Sequence, residues 1–337
     1  MQASLDDQCC ALLTELGFVT ANSQVNVEPL TGGVASDIAM VEVGDQKLCV
    51  KFALPKLKVE ADWFAPVHRN TAEYEWLKFA AKLAPKSAVR LFGRSEELHG
   101  FAMEFLEGKD IYLWKSALLS EAAGQNEAAK VGDLLGRVHS ASTQSGFDES
   151  AFQNWGDFNA LRIEPYLSYT ATQHRDISEE LETLSDQLFK ARQVLVHGDV
   201  SPKNILFRAG NPIILDAECA TIGDATFDPS FCLNHLVLKA IHLPNSRERN
   251  LKHANLFWQA YAPHITWETA HDTEARVCKL VPALMLGRVD GKSPVEYLTG
   301  AERKTVRQIA KYFIASPVKR FEDLIQGIDT HLKEMAA

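Results

Sequence analysis

The chain has 337 residues, 46% apolar and 23% charged, with a formal net charge of -9, so it can bury one large or two moderate cores. The acidic balance and evenly spread charge exclude the clustered basic surface that neutralises nucleic-acid phosphates, and leave no low-complexity arm. No stretch reaches the roughly 20 apolar residues of a membrane span, and the opening MQASLDDQCCALLTELGF carries acids where a secretory signal has a basic segment and an apolar run.

In chain order, the first hundred residues predict a small antiparallel sheet with one helix. Residues 37–43 (DIAMVEV) and 46–52 (QKLCVKF) are β-rich and are separated by Gly44-Asp45, a hairpin turn signal. Residues 67–83 place apolar side chains at helical spacing, and residues 89–94 and 99–105 read as two further strands. After Leu106-Glu107-Gly108 long helical patterns take over, Glu127–Ser142 among them. A hinge there is expected to divide a small β-rich lobe, residues 1–106, from a helical lobe, residues 107–337, which makes the fold class α+β. Within the helical lobe the apolar runs 194–196 and 212–215 are expected to form a small hairpin that carries chemistry at its turns.

The chemistry concentrates in Val196-His197-Gly198-Asp199-Val200-Ser201-Pro202-Lys203-Asn204, followed by Ile214-Leu215-Asp216-Ala217-Glu218. A carboxylate, an amide five residues later and a second carboxylate beyond a strand are the parts of a phosphoryl-transfer site. Asp199 can orient a hydroxyl and accept its proton. Asn204 and Asp216 offer the hard oxygen ligands that Mg²⁺ takes. Any one of these alone would more simply be a cap or turn residue; the combination with flanking apolar runs favours function. Upstream, Leu30-Thr31-Gly32-Gly33-Val34-Ala35-Ser36 can bring backbone N–H groups to phosphates, although it matches neither a dinucleotide fingerprint nor a Walker A sequence.

The H-G-D-x-x-x-x-N run followed by D-x-E resembles the aminoglycoside phosphotransferase and choline kinase superfamily, whose members share the two-lobed protein-kinase fold. The resemblance implies ATP and Mg²⁺ as cofactors, with Lys51 on the phosphates and Glu73 as its ion-pair partner, Glu75 standing second. It also implies a nucleotide-covering loop at Gly32 and Gly33, and an adenine-binding hinge strand over Met103, Glu104 and Leu106. Asp228 would brace the catalytic loop through its backbone N–H groups, and His139 would be a core residue. Gly198 stands where protein kinases carry an arginine that reads activation-loop phosphorylation.

A narrower resemblance is to the methylthioribose kinases, through residues 50–55 (VKFALP), Trp63, Arg69 with Glu73, and Asp216-Ala217-Glu218; it implies that Glu218 joins Asp216 as a metal ligand. The sequence departs from that enzyme at Asn204, where a small residue is expected, and at Arg288, which stands alone in place of an arginine pair. Candidates for the acceptor pocket are Trp155, Asp157, Arg162, Asn234, His235 and Arg288, a set suited to a sugar or another hydroxylated small molecule, with ordinary packing as the competing explanation for each. The expected function is transfer of the ATP γ-phosphoryl to a small-molecule hydroxyl. An antibiotic phosphotransferase, a choline- or homoserine-type kinase and an inactive nucleotide-binding scaffold are the alternatives. The expected partner is therefore a small hydroxylated substrate, with neither nucleic acid nor membrane. Six cysteines without a CxxC pair or zinc-type spacing predict a reducing, cytoplasmic setting.

Overall fold

The computed structural model describes residues 4–30, 36–56 and 66–335. Its first part is a five-stranded antiparallel sheet of β1 (Val25–Pro29), β2 (Ser36–Val43), β3 (Gln46–Ala53), β4 (Leu91–Ser95) and β5 (Gly100–Glu104), in the order β1-β2-β3-β5-β4. Gly44-Asp45 turns β2 into β3 with Val43 opposite Gln46, and Gly44 takes the positive φ of 58° that the tight turn needs.

The period of two along β3 decides which side chain reaches which layer. Leu48, Val50 and Phe52 face one side and pack with Ala102 of β5 under helix α1 (Leu5–Glu15), which contributes Cys9, Leu12 and Leu13. Cys49 faces the other side with Phe101 and Met103, against Ala72, Trp76, Leu77 and Ala80 of helix α2 (Arg69–Leu83). Helix α1 is a correction to the single helix expected in this part. Ser4 and Asp7 form a reciprocal capping box at its start, a short local signal that the sequence carries.

The remainder is mainly helical, beginning with α3 (Trp114–Leu119) and α4 (Glu127–Ser142). Helix Phe227–His242 runs through its centre and is buried from Phe227 to Ile241. Around it pack Arg247–Tyr261, the 21-residue Ala270–Asp290 and Gly300–Ala315. Each buried Leu, Ile, Val or Phe there adds about 1.5–3 kcal/mol of transfer free energy. None of the described helices is long and apolar enough to cross a membrane.

Two small sheets sit inside this helical part. Strands β6 (Ile111–Leu113), β8 (Ile205–Arg208) and β9 (Asn211–Ile214) form one, and β7 (Val194–Val196) pairs with β10 (Thr221–Gly223) to form the other. The expected pairing of 194–196 with 212–215 is therefore corrected. Residues 205–208 lie nearer along the chain and close a two-residue turn through Ala209 and Gly210, both at positive φ (48° and 72°), as a type I′ hairpin requires.

Candidate active site

Lys51 shares the pleat parity of Cys49 and so points to the α2 side of the sheet. There its Nζ lies 2.7 Å from Glu73 Oε1 and 2.5 Å from Asp216 Oδ1. Glu75, two residues further along the helix, turns outward to Lys78 at 3.0 Å. Burial disfavours the charged forms of all three groups, and the outcome depends on which neighbours oppose it. For Lys51 the carboxylates of Asp216 and Glu73 outweigh burial and hold its ammonium protonated well beyond the usual range. For Asp216, Lys51 and Lys203 outweigh burial and keep the carboxyl well below the usual carboxylate range. Glu73 has one ammonium to share with Asp216, and burial pushes its pKa up.

The catalytic loop leaves β7 through His197, Gly198 and Asp199. Gly198 adopts φ 86°, and a Cβ there would stand 2.8 Å from Cys219 Cβ, so only glycine fits. Asp228, in the first turn of helix Phe227–His242, accepts the N–H of His197 at 2.6 Å and of Gly198 at 2.8 Å. Behind it, fully buried His139 of α4 lies 3.2 Å from Asp228 Oδ2 and 2.9 Å from the Tyr261 hydroxyl. The loop is thus pinned to two helices through one carboxylate.

Asp199 Oδ2 is 3.1 Å from Arg162 Nη2 and 3.2 Å from Lys203 Nζ, whereas Oδ1 is buried and has no hydrogen-bond partner among the described residues. Burial opposes ionisation of Asp199, but Lys203 and Arg162 outweigh it and lower the pKa. Asn204 donates its Nδ2 to the Asp199 carbonyl at 3.1 Å, which leaves its amide oxygen available. The Leu215 N–H bonds to the Asn204 carbonyl at 2.9 Å, fixing the Asp216 loop to the catalytic loop, and Asp216 takes a strained φ of 71°.

A sequence profile described as the phosphotransferase enzyme family (APH) matches residues 26–264. The chain belongs to this phosphotransferase family. It is 21% identical over 253 residues to a methylthioribose kinase of Bacillus cereus, an alignment spanning 67% of this chain and 64% of that protein's length. It is 20% identical over 283 residues to the methylthioribose kinase of Bacillus mycoides, covering 75% and 71%. Among solved structures, a choline/ethanolamine kinase family protein from Mesorhizobium loti superposes with TM-score 0.54 at 15% identity over 98% of this chain and 94% of that one. The amicoumacin kinase hAmiN, in complex with AMP-PNP, Ca²⁺ and Ami, gives 0.55 at 14% identity over 86% and 89%. These likenesses establish the α+β, two-lobed kinase-like fold.

Membership of this family implies nucleotide and a divalent metal. Among the described residues no three His, Cys, Asp or Glu side chains cluster to hold a metal. The donors present nevertheless suit a hard cation whose shell is completed by phosphate oxygens and water, because Mg²⁺ takes only one or two protein oxygens in such sites. The candidate oxygens are Asp216 Oδ2 and the Asn204 amide oxygen, for neither of which a hydrogen bond is seen among the described residues. Glu218, expected as a further metal ligand beside Asp216, accepts on Oε2 from the buried Arg69 Nε at 2.9 Å. Arg69 also donates to the carbonyls of Pro66 at 2.8 Å and Leu54 at 2.7 Å, so this pair ties the Asp216 loop to the start of α2 and to the chain leaving β3. Gly32, Gly33 and Trp63 lie outside the described residues. Met103 and Glu104 end β5, with the Glu104 carboxylate accepting from Arg208 at 2.7 Å and from the Arg90 N–H at 3.1 Å. Leu106 packs partly buried against the main core.

The acceptor candidates separate. Trp155 donates its indole N–H to the Ile222 carbonyl at 2.8 Å and carries the Arg192 guanidinium 4.1 Å above its ring. Asp157 lies 3.0 Å from His68 Nε2. Asn234 is buried within its own helix, its amide donating to the carbonyls of Ser230 and Phe231. Arg162 faces the catalytic loop from the π-helical segment Asn159–Ser168, a helical form common at functional sites. His235 and Arg288 come together, lining a small cavity with Lys115, Pro202, Lys203, Lys239 and Tyr297. Nothing in the sequence pattern joins Arg162 to Asp199, although Lys203, four residues after Asp199 inside the motif, is a visible partner for it.

Proposed function

We propose that the protein transfers the γ-phosphoryl group of ATP to a hydroxyl of a small molecule. The observation that carries this is Asp199: one carboxylate oxygen is fixed by Arg162 and Lys203, and the other is buried and without a partner among the described residues, in a carboxyl whose pKa those two cations lower. A buried carboxylate oxygen with no donor is poised to take one from a substrate hydroxyl. In the transfer, Asp199 Oδ1 takes the hydroxyl proton as the acceptor oxygen bonds to the γ-phosphorus. The bond to the β–γ bridging oxygen breaks, and its electron pair leaves with ADP.

Lys51, held between Glu73 and Asp216, would align the phosphates. Asn204 and Asp216 would hold Mg²⁺, which would supply positive charge to offset the negative charge developing on the phosphates. Residues 1–106, with Gly32 and Gly33 and the strand of Met103, Glu104 and Leu106, would take the nucleotide, and residues 107–337 the acceptor. The methylthioribose kinases to which the chain is similar are named for a sugar acceptor, which supports a hydroxylated substrate here. Six cysteines, all unpaired, support a cytoplasmic setting.

The test is incubation of the protein with ATP, Mg²⁺ and a mixture of hydroxylated metabolites that includes methylthioribose, followed by mass spectrometry. The expected result is one product heavier by a single phosphoryl group and dependent on the metal. Absence of both ADP and phosphorylated product with every acceptor class would overturn the proposal.

A further inference from the structure

Beside the catalytic loop lies a small cavity of about 40 Å³ whose lining is unusually cationic. It is built where three helices and one connection meet. Helix Phe227–His242 supplies His235 and, one turn on, Lys239; Ala270–Asp290 supplies Arg288; α3 supplies Lys115; residues 291–299 supply Glu296 and Tyr297. Lys203 closes it on the Asp199 side, so the cavity is one lysine side chain from the carboxylate proposed to take the acceptor's proton.

The charges do not cancel. The one acid in the lining, Glu296, pairs with Lys115. Among the described residues neither Lys239 nor Arg288 has a carboxylate partner. Lys239 is 1% exposed, and among the described residues its Nζ meets the His235 carbonyl at 3.4 Å and the face of the Tyr297 ring at 5.3 Å. Arg288 is 9% exposed; its Nη1 reaches the Tyr166 hydroxyl at 3.0 Å and Ser293, while its Nε is buried with no partner. The Tyr297 hydroxyl is likewise buried and unpartnered. Burial and the neighbouring cations Arg288 and Lys239 hold His235 well below its usual pKa, so it adds a neutral polar group.

Buried positive charge without a counter-charge disfavours the folded state unless something supplies the missing anion. The unmet donors converge on one cavity, and no described residue answers them. We propose that this cavity binds an anionic group, a carboxylate or a phosphate, carried by the phosphoryl acceptor, so that the substrate is an acidic hydroxylated metabolite and neither a neutral sugar nor an amine. This assignment rests on the kinase reading above for its placement, but the anion site can be measured without turnover.

The experiment titrates four probes into the nucleotide-loaded protein by calorimetry: glycerate, glycerol 3-phosphate, glycerol and choline. Wild type, Arg288→Met and Lys239→Met are compared. Glycerate or glycerol 3-phosphate should bind, and which of the two does so separates a carboxylate from a phosphate site. Glycerol and choline should not bind. Each substitution should weaken the anion by about 100-fold, the usual effect of removing one partner from a buried charge pair. Lys239→Met guards against loss of fold, because it replaces an uncompensated buried charge with an apolar side chain of similar length and should raise thermal stability while lowering anion affinity. Binding of choline or glycerol in preference to both anions would overturn the proposal, as would anion affinity unchanged in both variants. Failure of the kinase reading would show itself separately, as no phosphorylated product from any acceptor while anion binding persists.

Discussion

Arg162 Nη2 lies 3.1 Å from Asp199 Oδ2, so a guanidinium from a π-helical segment 37 residues upstream holds the carboxylate at the centre of the site. The same side chain donates its Nε to the Gly198 carbonyl and its Nη1 to the Leu161 carbonyl. Its planar fork therefore spans the catalytic loop and its own helix, a geometry that lysine cannot reproduce.

Arg162 is a positioning residue, and its removal should show in the pH profile. Burial raises the Asp199 pKa, and Lys203 and Arg162 lower it to a net decrease. With Arg162→Met one lowering influence goes, so the acid limb of kcat against pH should move to higher pH and kcat should fall. Arg162→Lys should restore the limb partly without restoring kcat. An unmoved acid limb in Arg162→Met would show that the contact does not tune Asp199.

Lys51→Met leaves the buried Glu73 and the half-buried Asp216 without their shared cation, which should cost about 3–5 kcal/mol of stability. The folded pKa of Glu73 already lies above the usual value. A carboxyl raised in this way subtracts stability as pH rises from its unfolded pKa through its folded one. The loss in Lys51→Met should therefore be larger at pH 8 than at pH 5, and Glu73→Gln in the same chain should recover part of it. Denaturant titration of the three proteins measures this; equal losses at both pH values would count against the shared ion pair.

Glu218 and Asp216 should separate in metal titrations. Glu218 is paired with Arg69 and its side chain is 8% exposed, whereas Asp216, paired with Lys51 through Oδ1, is 33% exposed and so the more accessible of the two to a metal. Asp216→Asn should raise the Mg²⁺ concentration needed for half-maximal activity far more than Glu218→Gln, and Glu218→Gln should mainly lower the melting temperature. Equal shifts in metal dependence would return Glu218 to the metal shell.

Lys239 gives a stability effect of the opposite sign to an ordinary lysine pair. Burial first, then Lys115 and Arg288, lower its pKa to about 7, with only Cys232 and Glu296 opposing them. Between that value and its usual one the unfolded chain holds a proton that the folded chain lacks, so stability falls as pH drops across that window from above. Lys239→Met should be more stable than wild type at pH 7, and the difference should shrink by about 1.4 kcal/mol per pH unit above it. A constant difference from pH 7 to pH 9 would contradict the burial argument.

Local signals make much of this legible in the sequence. The alternation of residues 48–52 places Lys51 on the α2 side, and helical spacing puts Glu73 toward it and Glu75 toward solvent. The motif residues Asp199, Asn204 and Asp216 meet because a hairpin and one backbone hydrogen bond bring two short segments together. Distant pairings are not legible. Arg69 with Glu218 and Arg162 with Asp199 join residues 149 and 37 positions apart, and the cationic cavity draws on three helices whose packing no periodicity reveals. Trp155 and Asp157 resemble pocket residues because aromatic and acidic side chains suit a sugar; in the fold Trp155 donates to the Ile222 carbonyl and Asp157 lies beside His68, contacts that no sequence pattern reveals. The hairpin at 205–214 is hidden because the more apolar runs 194–196 and 212–215 suggest each other as partners, while the turn Ala209-Gly210 decides the pairing.

The most direct test of the phosphotransferase account is a single-turnover comparison of wild type with Asp199→Asn, using ATP and Mg²⁺ and following phosphoryl transfer to the acceptor. The substitution keeps the side chain's shape and removes its capacity to take a proton, so transfer should slow by about 10²–10⁴-fold while nucleotide affinity and melting temperature stay close to wild type. Transfer by Asp199→Asn at the wild-type rate would contradict the account.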